Sequence, residues 1–194
     1  MLMKKFVLIP AIVFAAFNCA FAQEEVKSQP PVRLLLGGAL ELGGDKVAEV
    51  YFTNGDVQSV NAGQGISVAV GGQLQLPKIE KLLFRGTVGY KYVTTQADNA
   101  HIRLTRVPVI LTANWMATEK IRVGAGLASH QAIRFNADGI GNDVTFKAAT
   151  GPTFEIAYGV VGITFTAMKY KDNSNISYSA NAIGLSVSGV LPKK

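Results

Sequence analysis

Hydrophobic and polar residues alternate along much of this chain, most clearly between Val144 and Tyr170. In the first half of this stretch the residues with even numbers, one parity of the alternation, are mostly apolar and aromatic: Phe146, Ala148, Thr150, Pro152, Phe154, Ile156 and Tyr158. The other parity is small or polar and includes Thr153 and Glu155. Because successive side chains of a strand point to opposite faces, the pattern predicts a strand with one apolar and one polar face. A short turn at 158–160 then predicts a hairpin.

The same alternation recurs along the chain and predicts eight strands. Their ranges are 33–43, 64–76, 82–94, 101–115, 121–135, 144–158, 160–170 and 176–190. The connection 44–63 contains Asn54-Gly55, a strong signal for a small hairpin of its own. Pro108 cannot donate a hydrogen bond to a neighbouring strand, so a bulge is expected there.

Parity alone does not say which face of these strands is inside. A membrane barrel turns the apolar face outward to lipid, and its sheet must close because unpaired edges are not tolerated in lipid. A soluble lipocalin-like barrel would turn the apolar face inward and would carry more charge outside than this chain has. The pattern therefore favours an all-β fold, an eight-stranded antiparallel up-and-down transmembrane β-barrel, with the lipocalin-like ligand binder as the alternative.

The N-terminal residues have the pattern of a signal peptide, here 1–22. Lys4 and Lys5 precede an apolar segment at 6–17, and Ala20-Phe21-Ala22 forms a small-x-small cleavage site. Cys19 raises lipidation as an alternative, although Phe17-Asn18 before it are not the small residues of a lipoprotein signal. Residues 23–32 are expected to form a periplasmic tail, and 33–191 the barrel.

Cleavage after Ala22 would leave a mature chain without cysteine, which excludes disulfides and thiolate metal sites. No later apolar run approaches the roughly 20 residues of a membrane-spanning helix. The formal net charge is +6 and the pI about 9.5, but the basic residues are dispersed and form no cluster. Nucleic acid is therefore not an expected partner.

Charged side chains collect on the face that a membrane barrel turns inward. The predicted lumen network comprises Glu41, Arg85, Lys91, Arg106, Arg122, His130, Arg134 and Glu155. An eight-stranded barrel is just wide enough for side chains to fill it, and charges in a narrow lumen need partners. Glu–Arg pairs with hydrogen bonds from Gln73 and Gln75 are expected to plug the lumen. The alternative is a narrow, weakly anion-selective pore, because basic residues outnumber acidic ones.

Aromatic residues fall near the predicted strand ends, as in the interfacial girdles of membrane proteins. The predicted girdle comprises Tyr90, Tyr92, Trp115, Tyr158, Tyr170 and Tyr178.

Candidate chemistry is sparse. Ser129, His130 and Glu155 are the only candidates for a hydrolase site, and consecutive residues such as Ser129 and His130 point to opposite faces of a strand. The two histidines lie 29 residues apart without accompanying carboxylates. We therefore predict no enzyme, no metal site and no cofactor.

The connection 44–63 is the candidate for binding a partner outside the cell. Its interaction candidates are Val50, Tyr51 and Phe52, which give it more apolar surface than a solvated loop needs. The alternative is a hairpin that only extends the barrel wall above the membrane, and the sequence leaves both open.

Four stretches together resemble the small outer-membrane β-barrel proteins of Gram-negative bacteria, the OmpA/OmpX-like group of the porin family. They are GTVGYKY at 86–92, RVPVIL at 106–111, GPTFEIAYG at 151–159 and GITFTAMKY at 162–170. We therefore predict a monomeric, non-enzymatic protein of the Gram-negative outer membrane, surrounded by its lipid, with a structural or loop-mediated role. The chain departs from the group at its C-terminus, because it ends VLPKK rather than on the aromatic residue that assembly machinery reads.

Overall fold

The computed structural model describes residues 31–51, 57–76, 79–97, 100–139 and 141–192, with backbone only at 50, 51, 95–97, 100 and 101. Within these ranges the regular secondary structure is all strand, and no helix is long and apolar enough to cross a membrane. The strands are β1 (Val32–Leu42), β2 (Lys46–Tyr51), β3 (Val57–Asn61), β4 (Gly65–Leu76), β5 (Ile79–Ala97), β6 (Ala100–Met116), β7 (Ile121–Asn136), β8 (Val144–Thr145), β9 (Ala149–Tyr158), β10 (Val161–Thr166), β11 (Lys169–Lys171), β12 (Ser177–Ser179) and β13 (Ala182–Leu191).

Eight of these strands form a closed antiparallel barrel in the order β1-β4-β5-β6-β7-β9-β10-β13. Closure comes from β1, which pairs with β13 from Leu34↔Leu191 to Leu42↔Ile183. Each barrel strand pairs with the barrel strands before and after it in the chain, so the topology is up-and-down. The predicted fold class and the count of eight are confirmed. The predicted sixth, seventh and eighth strands are each interrupted, which separates the short strands β8, β11 and β12 from the barrel strands.

The outer face of the barrel is apolar. Exposed outward side chains include Leu34, Leu40, Leu42, Ile66, Val68, Val70, Phe84, Val88, Leu111, Val123, Leu127, Phe154, Ile156, Ile163, Phe165, Ile183 and Leu185. A soluble lipocalin-like barrel would bury this face, so the alternative fold is wrong for this chain.

A bulge in β7 changes which side chains reach the lumen. Thr105 pairs with Arg134 but Val107 pairs with Gln131, so β7 has one extra residue here. Ala132 takes a left-handed conformation with φ 49°. A one-residue slip turns every later side chain to the opposite face.

Two sequence predictions fail at this bulge. Arg134 is exposed rather than in the lumen, whereas Ile133 and Phe135 are buried although they were expected to face lipid. The bulge expected at Pro108 instead lies on the neighbouring strand, and Pro108 itself pairs with His130.

The hairpins β2–β3 and β11–β12 sit at one end of the barrel, called here the loop end; the opposite end, with the tight connections 117–120 and 159–160, is the turn end. A hydrophobic cluster fills the loop end. Its buried members are Val60, Ala62, Val93, Ile102, Leu104, Ala128, Ile133, Phe135, Ala137, Phe146, Ala149, Met168, Tyr170 and Ala180. Phe146, expected to face lipid, belongs to this cluster because the chain leaves strand geometry between β8 and β9.

One backbone hydrogen bond and one to the Asp45 carboxylate hold the base of the β2–β3 hairpin against the β12 strand. Asp45 N donates to Ser179 O at 2.7 Å, and Ser179 N donates to Asp45 Oδ2 at 2.6 Å. Gly44 has φ 84°, and a Cβ on it would lie 2.4 Å from Gly63 N, so this junction requires glycine. The hairpin is therefore joined to the barrel at its base as well as through its buried side chains.

Candidate functional site in the barrel lumen

Glu155 organises the polar residues in the half of the lumen towards the turn end. Its Oε2 lies 3.2 Å from Arg85 Nη1 and 3.1 Å from Arg122 Nη2. Ser186 Oγ donates to Oε1 at 3.2 Å, and Arg85 Nη2 donates to Ser188 Oγ at 2.8 Å. Three elements, β5, β7 and β9, supply the three charges. The predicted Glu–Arg pairing is therefore present in this part of the lumen.

Glycines on the inner face leave room for the two lumen carboxylates. A Cβ on Gly162 would lie 3.1 Å from Glu155 Oε1, and a Cβ on Gly184 would lie 2.6 Å from Glu41 Cγ. Both glycines sit on strands next to the carboxylate they accommodate. Small residues at these inward positions are thus part of how the sequence fits charges into a narrow barrel.

Lys91 and Arg106 form a second polar cluster, nearer the loop end. Lys91 Nζ lies 2.8 Å from Glu41 Oε2 and donates to Gly63 O at 2.7 Å. Arg106, which is 0% exposed, donates through Nη2 to Gln64 O. Both cations thus bind main-chain carbonyls of the segment between β3 and β4. Sequence reasoning missed these acceptors, because a carbonyl oxygen has no signature in the residue type.

His130 binds Tyr170 rather than a carboxylate. His130 Nδ1 and the Tyr170 hydroxyl are hydrogen bonded at 2.5 Å, and the Arg106 guanidinium lies 6.0 Å from the centre of the Tyr170 ring. Tyr170 lies on β11, beyond the barrel strands, and burial raises the pKa of its phenol to about 12. The phenol is therefore neutral at physiological pH.

The prediction of an aromatic girdle is wrong for two residues, Tyr170 and Tyr178. Tyr170 is 0% exposed inside the loop end, and Tyr178 packs edge-on against Phe146 with ring centres 5.6 Å apart. The strand break before β11 turns Tyr170 inward, which a continuous alternation cannot reveal. The remaining four, Tyr90, Tyr92, Trp115 and Tyr158, are exposed on the outer face.

A cavity of about 130 Å³ lies in the lumen, lined by residues of both polar clusters. Glu41 and His130 contribute from one side, and Arg85, Glu155 and Ser188 from the other. Its lining also includes Leu35, Pro108, Ile110 and Ala128, so the space is only partly polar. The hydrophobic cluster of the loop end lies beyond the Lys91–Arg106 cluster.

Basic groups outnumber carboxylates in the described part of the lumen. Its buried cations are Arg33, Arg85, Lys91, Arg106 and Arg122, against the carboxylates Glu41 and Glu155. Among the described residues Arg85 Nε, Arg106 Nε, Arg106 Nη1 and Asn114 Oδ1 have no hydrogen-bond partner. Arg33, which sequence reasoning did not single out, donates to Gln75 Oε1 at 3.2 Å. Gln75 thus has the hydrogen-bonding role expected of it.

The residues considered for a hydrolase site do not come together. Ser129 Oγ accepts from Gln131 Nε2 at 2.7 Å and from Thr150 Oγ1 at 2.8 Å on the outer face, while His130 is buried inside. Glu155 is bound to Arg85 and Arg122. No group of three or more potential metal ligands occurs in the ranges that the structure describes.

The loop interaction candidates lie on β2 and on the segment that follows it. Phe52 lies outside the described residues, and Val50 and Tyr51 are placed in β2 by backbone only. Other residues of the hairpin, Val60 and Ala62, are buried in the loop-end cluster. The hairpin therefore has a packing role, and binding through its tip stays a prediction.

Comparisons with known proteins found likeness only among solved structures. No family model matches the chain, and no curated protein matches it. The crystal structure of Neisserial surface protein A (NspA) is similar at 12% identity and a TM-score of 0.43, covering 83% of this chain and 99% of that chain. The crystal structure of Ail, the attachment invasion locus protein of Yersinia pestis, is similar at 8% identity and a TM-score of 0.41. The match covers 81% of this chain and 97% of that chain.

Identities and scores this low support no argument about function. The fold that the resemblance to small outer-membrane barrels implied is nevertheless the fold of this chain, eight antiparallel strands in a closed barrel.

Proposed function

We propose that this chain is a monomeric, non-enzymatic barrel of the Gram-negative outer membrane, with a structural or loop-mediated role. The observation that carries the proposal is the inverted distribution of polarity. The outer wall of the closed barrel is apolar, whereas the interior holds the ion pairs of Glu41 and Glu155.

The outer wall is energetically unsuited to water. Leu40, Leu42, Ile66, Ile156 and Ile163 are each more than half exposed on it. Burying a side chain of this kind is worth about 1.5–3 kcal/mol, and soluble monomers rarely expose apolar patches larger than a few hundred Å². Lipid acyl chains would cover this apolar wall. Closure of the barrel pairs the backbone hydrogen-bonding groups of its strands with those of neighbouring strands.

Fractionation followed by gel electrophoresis of unheated and boiled samples tests the location. We expect recovery in the outer membrane and a band whose mobility changes on boiling, because a closed barrel resists detergent until heated. The mass of the purified chain also tests export, since cleavage after Ala22 should leave residue 23 at the N-terminus. Recovery as a soluble periplasmic protein without a boiling shift would contradict the proposal.

The role of the loop end divides into two testable alternatives. The base of the β2–β3 hairpin is held by Asp45 and by the buried Val60, so the hairpin would present its tip on a rigid support. Replacing residues 52–56 by a short Gly-Ser turn should preserve barrel folding. The variant is then expressed in a strain from which the gene has been deleted. Failure to correct a defect of that strain supports a loop-mediated role, whereas full correction supports a structural one.

A narrow anion-selective pore is the second candidate, favoured by the excess of lumen cations. The hydrophobic cluster at the loop end argues against it, because ions would have to pass buried apolar side chains such as Leu104, Ile133 and Phe135.

A further inference from the structure

The β7 bulge places two arginines side by side on the outer wall. Arg134 pairs with Thr105, and Arg103 pairs with Asn136, so the two arginines are diagonal neighbours on adjacent strands. Side chains at such positions start about 7–8 Å apart. Arg103 and Arg134 are both exposed, on the face of β6 and β7 opposite the buried Leu104 and Ile133. If β7 continued in regular alternation through Ala132, without the bulge, the Arg134 side chain would point into the lumen instead.

Within the described ranges neither Arg103 nor Arg134 forms an ion pair, and the lumen carboxylates Glu41 and Glu155 are on the other face of the wall. Asp138 follows Arg134 by four residues and has an interaction of its own. Asp143 accepts from Asn136 Nδ2 at 3.0 Å and from Ala137 N at 2.8 Å.

The wall below the arginines changes from apolar to polar. Leu111 and Leu127 are exposed on the turn-end side of this sector. Between them and the arginines, Ser129, Gln131 and Thr150 form a hydrogen-bonded group on the outer face. On β6 the outward Val109 and Val107 lie beside this polar group, and Thr105 and Arg103 follow them. Along β7 the outward-facing residues therefore run from Leu127, through Ser129 and Gln131, to Arg134. This is the order met on leaving the acyl chains of a lipid for its headgroup.

We propose that Arg103 and Arg134, with the Ser129–Gln131–Thr150 group beneath them, bind the phosphate groups of a phosphorylated glycolipid in the outer leaflet. Guanidinium groups bind phosphate oxygens in bidentate fashion, and hydroxyl and amide groups suit a sugar. The apolar wall alongside holds the acyl chains. The inference rests on the proposed function, because a lipid ligand requires the barrel to be in a membrane.

The test compares wild type with R103Q/R134Q, each folded in a neutral detergent and verified by the boiling-dependent gel shift. K81Q/K120Q is the control, since it removes two exposed positive charges near the turn end. The probes are a glycolipid with two headgroup phosphates and the same lipid without them, and native mass spectrometry measures the bound fraction. We expect wild type and the control to prefer the phosphorylated lipid over the unphosphorylated one. In R103Q/R134Q this preference, measured as the ratio of the two bound fractions, should be about ten- to thirty-fold smaller.

An unchanged preference in R103Q/R134Q would overturn the inference. So would equal competition by inorganic phosphate at the same concentration, which would identify a free anion as the ligand. If R103Q/R134Q does not fold, R103K/R134K replaces it, and a weaker preference is expected because lysine lacks the planar fork. A wild-type chain without a boiling shift would instead contradict the proposed function, so the two failures are distinguishable.

Discussion

Glu155 is the residue on which the charge balance towards the turn end depends. It binds Arg85 and Arg122 at once, and its side chain is only 14% exposed. Glu155→Gln would leave two buried guanidinium groups without their shared anion. We expect the free energy of unfolding to fall by about 3 kcal/mol, measured by urea titration of the refolded barrel.

The matched control for this charge change is Glu119→Gln, in the exposed turn 117–120. It should change stability by less than about 0.5 kcal/mol. Equal effects of the two substitutions would mean that the lumen pairs contribute nothing beyond net charge.

Ala132 is the residue that sets the direction of Arg134. At φ 49° an alanine is strained, and a left-handed conformation costs a residue other than glycine about 1–2 kcal/mol. Ala132→Gly should therefore raise the free energy of unfolding by about 1 kcal/mol. Ala125→Gly, on a regular part of β7, should lower it by about 0.5–1 kcal/mol. If both substitutions changed the free energy of unfolding in the same direction, the result would contradict a left-handed conformation at Ala132.

At the scale of elements, the β2–β3 hairpin belongs to the core of the loop end. Val60 is 0% exposed, whereas Val57 on the same strand is 52% exposed. Val60→Ala should destabilise the hairpin by roughly 1–3 kcal/mol, because it removes buried methyl groups. Val57→Ala should leave it nearly unchanged.

Limited proteolysis of the folded barrel measures this difference as the rate of cleavage within 45–62. Equal rates in the two variants would show that the hairpin is not packed at Val60. The interpretation of the connection as a free binding loop would then gain support.

At the scale of the whole molecule, the question is whether the lumen conducts. In the described part of the barrel the lumen holds the polar clusters, a cavity of about 130 Å³ and, at the loop end, the hydrophobic cluster. We expect planar-bilayer recordings of the refolded barrel to show no ion conductance. Discrete steps with anion selectivity would contradict this and would establish the pore.

The alternation of polarity determined the eight strands, the apolar outer belt and the pairing of Glu155 with lumen arginines. These properties depend on the two-residue period of a strand, which a sequence displays directly. The outward direction of Phe154 and Ile156, and the inward direction of Arg85 and Arg122, follow from it.

Only the tertiary structure decided what happens where the period breaks. The extra residue at Ala132 turned Arg134 outward, and the breaks beside β8 and β11 turned Phe146 and Tyr170 inward. A bulge changes the strand register without a distinctive residue at the site, because its position depends on pairing with a distant strand. The binding of Lys91 and Arg106 to main-chain carbonyls likewise depends on where the β2–β3 hairpin folds back. The sequence therefore specified the regular wall of the barrel, and the folded chain specified its closed end and the direction of Arg134.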